Sequence, residues 1–549
     1  MNVIVVPEPK RLEFTGKWLK FDGFQNFPRF LTNEFEVPKG EWSIVKVKSK
    51  GTGIEVSERE VKMWGDEQIN YATVLQLLKQ CPGYLPEVTV EEDFAFAFRG
   101  YHLDIARGTV PNLETFKKTL RWLFLLKYNY FAIYFEDLFP WKKYPQIGEY
   151  RGKLSEEELK EIIEYGNKLG IKVFPSLELT GHMEHILSLP EFRKFSEWHN
   201  PREGCLDLSN KEAREFAYEL LNEVIDFFPC KYIHIGGDET WALGRGRSLN
   251  KTWTFDGPRL YESHHRKMIE IVKKAGKEPI LWGDMISGMY LKDITEDASK
   301  WEEILESPIW KEVLIANWDY SPSPKEYFKE KIRIFKKRGL RQIACPALLS
   351  GWHKFYPNFH KVLKNLRNFL VAAKEEGLPG FLITTWGIED VAECLYSFLD
   401  PLILASMEIA EGNGKWEEKW MAISHESEDI LKARITFGEP EISHMIRHVL
   451  FADAWFYRLN EEACQELKSK WKEFLKRIEK VNLPEDLEFV RKCIETGLKM
   501  LENNATVSDY IALSNIYSKL WLAERKKEGL EKIIERFWGT AGRIDTKVI

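Results

Sequence analysis

The chain predicts an α/β protein built on a closed (β/α)8 TIM barrel, with a small N-terminal α/β domain before it and an all-helical C-terminal domain after it. Three observations carry that expectation. Between residues 98 and 415 short apolar runs alternate with longer amphipathic ones, the rhythm of repeated βα units around a parallel sheet. Eight such units can be marked out, which is the number that closes a barrel. Chemistry-bearing residues recur at the C-terminal ends of the strands, where a barrel opens its active-site mouth.

Residues 1–97 have a different texture. Glu41–Lys48 and Gly53–Ser57 alternate as strands do, and Asn70–Leu78 has helical spacing that ends before Cys81-Pro82-Gly83. The barrel strands are expected at Tyr101–Ile105, Tyr130–Phe135, Lys172–Leu177, Tyr232–Ile235, Ile280–Trp282, Val313–Asn317, Gln342–Cys345 and Gly380–Thr385. Helical stretches such as Leu113–Leu126, Glu156–Lys168, Lys211–Phe227, Arg259–Ala275 and Lys325–Lys337 separate them. From residue 416 to 549 glycine and proline thin out. Glu461–Val481, Glu485–Asn503 and Val507–Arg536 carry apolar residues at helical spacing there, with Trp455, Trp471 and Trp521 read as buried helix faces.

Composition narrows the function. At 549 residues with 44% hydrophobic and 30% charged residues, the chain can bury large cores. Its formal net charge of −6 offers no basic field for nucleic acid or an anionic membrane. No apolar run reaches membrane-spanning length, and Met1–Pro7 lacks the basic and cleavage features of a secretory signal. Seven scattered cysteines without a Cys-x-x-Cys pair fit reduced thiols, so a cytoplasmic protein is expected. Twenty tryptophans are enough to wall a site for sugar rings as well as fill cores. A small-molecule or oligosaccharide substrate fits, and the charged helical end is expected to serve as a solvated cap or as a homodimer surface.

The most informative segment is Lys231-Tyr232-Ile233-His234-Ile235-Gly236-Gly237-Asp238-Glu239-Thr240, a short strand that runs through two glycines into adjacent carboxylates. Such a dipeptide alone could be a helix cap and a surface charge. Its setting decides otherwise, because other candidates stand beside the other strands. Arg99 is in the first unit, Glu136-Asp137 end the second, and Glu178 and Gly181-His182 follow the third. Trp282 and Asp284 close the fifth, Asn317-Trp318-Asp319 the sixth, Ser350-Gly351-Trp352-His353 the seventh, and Trp386 with Glu389 the eighth.

Arg-Gly-x-x-x-Asp at Arg99, Gly-His at His182, His-x-Gly-Gly-Asp-Glu at His234 and Trp-Gly-x-Glu at Trp386 together resemble glycoside hydrolase family 20, the β-N-acetylhexosaminidases. The resemblance spans roughly residues 1–412, and the helical end is similar to an extra domain of some intracellular bacterial members. It implies retaining hydrolysis in which the 2-acetamido group of the substrate is the nucleophile, with no cofactor and no metal. Glu239 would be the acid and base, and Asp238 would orient the acetamide. Arg99 would hold the outer hydroxyls of the sugar. Trp282, Trp318, Trp352 and Trp386 would surround the ring, and Glu389 would reach the 4- or 6-hydroxyl. His182 would support the acid with Asp137, or Glu136, and His234 would pack beneath the pair. The family tyrosine that binds the acetamide carbonyl follows a tryptophan after the seventh strand. Here Trp352 is followed by His353, which leaves Tyr356 and Tyr320 as substitutes.

Two readings of other classes compete. A metal-dependent barrel hydrolase is suggested by His182, His185, His264 and His265, although adjacent histidines inside a predicted helix face apart. A glycan-binding module without turnover would need a lesion in the pocket, and the sequence offers none.

Overall fold

The computed structural model describes residues 2–287, 298–350, 355–387 and 394–547. The N-terminal part is a five-stranded sheet in the order β1-β5-β3-β4-β2, formed by β1 (Arg11–Lys20), β2 (Ser43–Lys46), β3 (Thr52–Ser57), β4 (Glu60–Trp64) and β5 (Tyr84–Glu92). The helix Glu67–Gln80 covers it. Asp66 caps this helix by accepting from the backbone N–H groups of Gln68 and Ile69. Gln76 donates to Val6 O at 2.8 Å and to Leu125 O at 2.5 Å, tying the segment before β1 to the barrel.

The barrel is closed by eight parallel strands: β6 (Phe98–Asp104), β7 (Tyr130–Tyr134), β8 (Lys172–Ser176), β9 (Tyr232–His234), β10 (Glu278–Trp282), β11 (Leu314–Trp318), β12 (Arg341–Cys345) and β14 (Gly380–Thr385). Pairing of β12 with β14 seals the ring, and the short β13 (Ala347–Leu349) lies outside it against β14. Each strand expected from sequence is present, with ends shifted by a few residues.

Alternation along the strands separates two cores. Phe98, Ala132, Phe174, Ile280, Trp282 and Ala316 fill the lumen, while Tyr101, Leu103, Phe131, Val173 and Ile233 pack outward against the helices. On β6 the even positions therefore point inward and the odd ones outward.

Beyond residue 400 the described chain is helical. The run expected as one helix over Val507–Arg536 is two, Val507–Glu524 and Leu530–Asp545. Arg525 is extended at φ −134° and Gly529 is left-handed at φ 91°, so the chain turns between them. Trp471 and Trp521 are fully buried as expected, but Trp455 is 58% exposed. It lies between helices, ahead of the short turn Phe456–Arg458, and takes the Arg458 guanidinium over its ring at 4.9 Å.

Candidate active site

All eight strands run in one direction, so their C-terminal ends share one mouth. The carboxylate pair is delivered there by β9, which ends at His234 and gives way to Gly236 (φ 66°) and Gly237 (φ 96°). A Cβ on Gly236 would stand 2.3 Å from Glu178 Oε2, and one on Gly237 would stand 2.7 Å from both His265 Nε2 and the Tyr261 hydroxyl. Only glycine fits at either position. The chain then turns so that Asp238 is buried and Glu239 keeps a side chain 41% exposed.

Three residues at the mouth are left-handed without being glycine: Glu136 (φ 45°), His182 (φ 49°) and Glu239 (φ 49°), from the segments after the adjacent strands β7, β8 and β9. Each such residue costs on the order of 1–3 kcal/mol, and such conformations cluster where geometry is functional.

His182 stands between the two carboxyls, with Nε2 3.4 Å from Asp238 Oδ2 and 3.4 Å from Glu239 Oε2. Burial works against a charged imidazole here, yet Asp238 and Glu239 outweigh it and hold His182 well above its ordinary pKa. Burial likewise opposes the charge on Asp238, but His182 keeps that carboxyl below its usual range. Glu178 has the opposite fate: burial and the neighbouring Asp238 charge push its pKa well up. It accepts the Trp282 indole N–H at 3.2 Å and the Gly237 N–H at 3.3 Å. Asp284 is pushed up to about 7, by burial first and by Asp238 second. The three buried carboxyls thus carry their charge unequally, and Asp238 holds it most firmly.

His182, Asp238 and Glu239 open on a cavity of about 600 Å³. Its walls include Arg107, Trp318, Tyr320 and Trp386. Trp386 donates its indole N–H to the Tyr320 hydroxyl at 2.7 Å, and the Trp318 ring stacks on Tyr320 with centroids 5.0 Å apart. Arg107 lies against Glu136 at 2.6 Å and Asp104 at 3.5 Å. Burial opposes its charge, but Glu136, Tyr134 and Asp104 more than compensate and raise its pKa. The result is a tryptophan-walled pocket with a cation on one side and two carboxyls on another.

One expected ligand is displaced. Arg99 is not at the mouth; it opens β6 at the opposite end, donates to Lys127 O at 2.9 Å and Phe96 O at 2.8 Å, and lies over the Phe94 ring at 4.2 Å. Its odd position on β6 sends it outward. Arg107, eight residues on, is the arginine in the pocket, and sequence reasoning passed over it. The signal was available: Arg107 follows the end of the strand, whereas Arg99 begins it.

Trp318, Trp386, His182, Asp238 and Glu239 are brought together as expected. Trp282 is fully buried in the lumen, packed between His234 (centroids 4.2 Å) and His102 (5.6 Å), and makes the floor beneath Trp386 rather than a wall. His234 lies under the carboxylate pair, its Nδ1 accepting the Gly236 N–H at 3.1 Å, and burial lowers its pKa to about 3. The Asp137 carboxylate is 3.0 Å from Arg151 Nε, and its neighbour Glu136 lies against the pocket arginine Arg107. Of the two substitute tyrosines, Tyr320 lines the pocket, while Tyr356 is buried among Phe359, Phe398 and Phe437. Trp352, His353 and Glu389 lie outside the described residues.

His182, Asp238 and Glu239 bring one potential metal-ligating atom each within 4.8 Å of one another. Asp238 and Glu239 hold the His182 imidazole well above its ordinary pKa, which favours its protonated form over a metal-ligating one. His264 and His265 are both buried in the helix Gly257–Lys274, bonded to Leu179 O and Tyr261 O, and serve packing.

A parallel eight-stranded barrel with paired carboxyls at its C-terminal mouth and tryptophan around the cavity has the architecture of a barrel glycoside hydrolase. The model of the glycosyl hydrolase family 20 catalytic domain matches residues 96–348. It is 27% identical over 237 residues to a beta-hexosaminidase of Porphyromonas gingivalis, over 38% of this chain and 30% of that protein. It is 23% identical over 332 residues to Hexosaminidase D of Bos taurus, over 54% of this chain and 91% of that one. The chain therefore spans less than a third of the first of these relatives. Among solved structures, a beta-N-acetylhexosaminidase from Bacteroides fragilis aligns with a TM-score of 0.59 at 18% identity, covering 77% of this chain and 95% of its own. A chitobiase from Flavobacterium johnsoniae aligns with a TM-score of 0.59 at 15% identity, covering 96% and 99%. These likenesses establish the fold. Among the described residues no helix is long and apolar enough to cross a membrane.

Proposed function

We propose that the protein is an exo-acting retaining β-N-acetylhexosaminidase that releases terminal N-acetylglucosamine or N-acetylgalactosamine through an oxazolinium intermediate. The observation that carries this reading is the divided carboxylate pair: Asp238 is buried, Glu239 is open to the cavity, and His182 Nε2 lies 3.4 Å from both. In the proposed reaction Glu239 gives its proton to the leaving oxygen while the substrate's acetamide oxygen attacks the anomeric carbon. The glycosidic C–O bond breaks as the ring C–O bond of the oxazolinium forms. Asp238 accepts the acetamide N–H and balances the positive charge that develops on that ring. Glu239, now a carboxylate, takes a proton from water, which opens the oxazolinium and restores the β-configured sugar.

The spacing supports retention, and the placement of the pair supports the substrate as nucleophile. Oxygens of Asp238 and Glu239 lie within 4.8 Å of one another, too close for an inverting pair, which needs about 6.5–9.5 Å. Both also come from consecutive residues on one strand end, so the pair does not straddle a ring as a protein nucleophile and its acid would. Trp318 and Trp386 offer apolar faces to the sugar, and Arg107, with its fork of donors, is the group suited to its outer hydroxyls.

The reading is tested with 4-nitrophenyl β-glycosides. The 2-acetamido glucoside or galactoside should be hydrolysed and the plain β-glucoside should be nearly inert. Comparable rates with and without the acetamide would overturn substrate assistance.

A further inference from the structure

Asp284 takes no part in the chemistry above, yet its carboxylate joins two parts of the site. It opens the short helix Asp284–Ser287 after β10 and is 4% exposed. Its Oδ2 accepts the backbone N–H of Glu239 at 2.9 Å, and its Oδ1 accepts the indole N–H of Trp318 at 3.1 Å. One bond reaches the backbone of the acid after β9, and the other reaches the pocket wall at the end of β11. Neither bond belongs to its own helix.

We infer that Asp284 is a positioning residue that ties the wall on which the sugar seats to the backbone of the acid, so that seating of the ring sets the point of proton delivery. The inference rests on the reading of Glu239 as acid and base. Two physical points favour it over a merely structural role. Glu239 is left-handed at φ 49°, a conformation that lasts only where its surroundings over-determine it, and the Asp284 bond is the one that fixes its N–H. Trp318 is half-buried with its ring in the cavity wall, so its indole N–H also records where that wall stands. Above pH 7, where Asp284 is ionised and where the test below is run, its carboxylate accepts both N–H groups at once. An amide has one acceptor oxygen, and turns an NH₂ donor toward the second N–H.

The test compares wild type, Asp284→Asn, Trp318→Phe and the double variant on two substrates that share the 2-acetamido sugar. One has 4-nitrophenolate as leaving group, which needs little protonation, and the other is the corresponding methyl glycoside, which needs much. Asp284→Asn should lower kcat on the methyl glycoside by about 10²-fold, the usual consequence of a misplaced acid, and leave the nitrophenyl rate within about tenfold. Trp318→Phe, which keeps the ring and drops the N–H, should show a smaller loss of the same kind. The double variant should be no worse than Asp284→Asn, because both changes cut one linkage. Equal losses on the two leaving groups, or losses that multiply in the double variant, would overturn the inference while the activity itself stands. If Asp284→Asn does not fold, Trp318→Phe decides alone, and its failure to discriminate between leaving groups overturns the linkage. Wild-type protein inert on both 2-acetamido substrates would instead remove the activity reading beneath it.

Discussion

The two ends of β6 hold arginines eight residues apart that do opposite work. At the start of the strand Arg99 faces outward and spends its donors on two backbone carbonyls, next to the buried Lys127–Glu92 pair at 2.5 Å and to Glu411, which accepts from Ala95 and Phe96. Beyond its end Arg107 faces the cavity, with Glu136 and Asp104 steadying its charge. The first fastens the barrel base to neighbouring chain. The second lines the cavity that the proposed reading fills with a sugar. Residue type alone cannot separate these roles; position along the strand and parity across it can.

The comparison can be pressed at both ends. The largest effect is expected at the mouth: Glu239→Gln should cost up to about 10⁴-fold in kcat on glycosides with poor leaving groups, measured beside 4-nitrophenyl substrates, where the loss should be smaller. Asp238→Asn should cost about 10²–10³-fold in kcat for both kinds, because it removes charge balance developed in the transition state. Arg107→Lys should follow with about a 10²-fold lower kcat/KM, since the ammonium keeps the charge against Glu136 but loses the planar fork. Near-normal kinetics for this variant would return the pocket cation to a purely structural role. Arg99→Met should invert the pattern, lowering unfolding free energy by about 2 kcal/mol in denaturant titration while kcat/KM stays within about twofold.

The smallest effect concerns pH. The folded-state pKa of Asp284 is raised to about 7 from the ordinary carboxyl range, so the fold binds this proton more tightly than the unfolded chain does. Its contribution to stability is present at pH 4 and is lost as pH rises through 7. The wild-type melting temperature should therefore fall more over that window than that of Asp284→Asn, and identical slopes would show that the carboxyl is not so perturbed.

Much of this was legible before any coordinates. The eight strands, the glycine-to-carboxylate turn, and the meeting of His182, Trp318 and Trp386 with Asp238 and Glu239 follow from strand-end residues in a repeating pattern. The failures share a physical cause. Arg99 is expected at the mouth from its motif, whereas the barrel sorts side chains by parity and by which end of a strand they occupy. Trp282 stands at a strand end but on a lumen-facing position deep enough to be floor. The break at Gly529 was hidden because its flanks both have helical spacing.

The left-handed backbone at Glu136, His182 and Glu239 has a consequence for how such a protein drifts over generations. A glycine at position 239 would relieve strain worth about 1 kcal/mol and give up little burial, so the inactive protein would be the hardier one. Selection for persistence alone would erode the mouth before the base. The strain held at Glu239 thus trades stability for the placement of a carboxylate at the mouth.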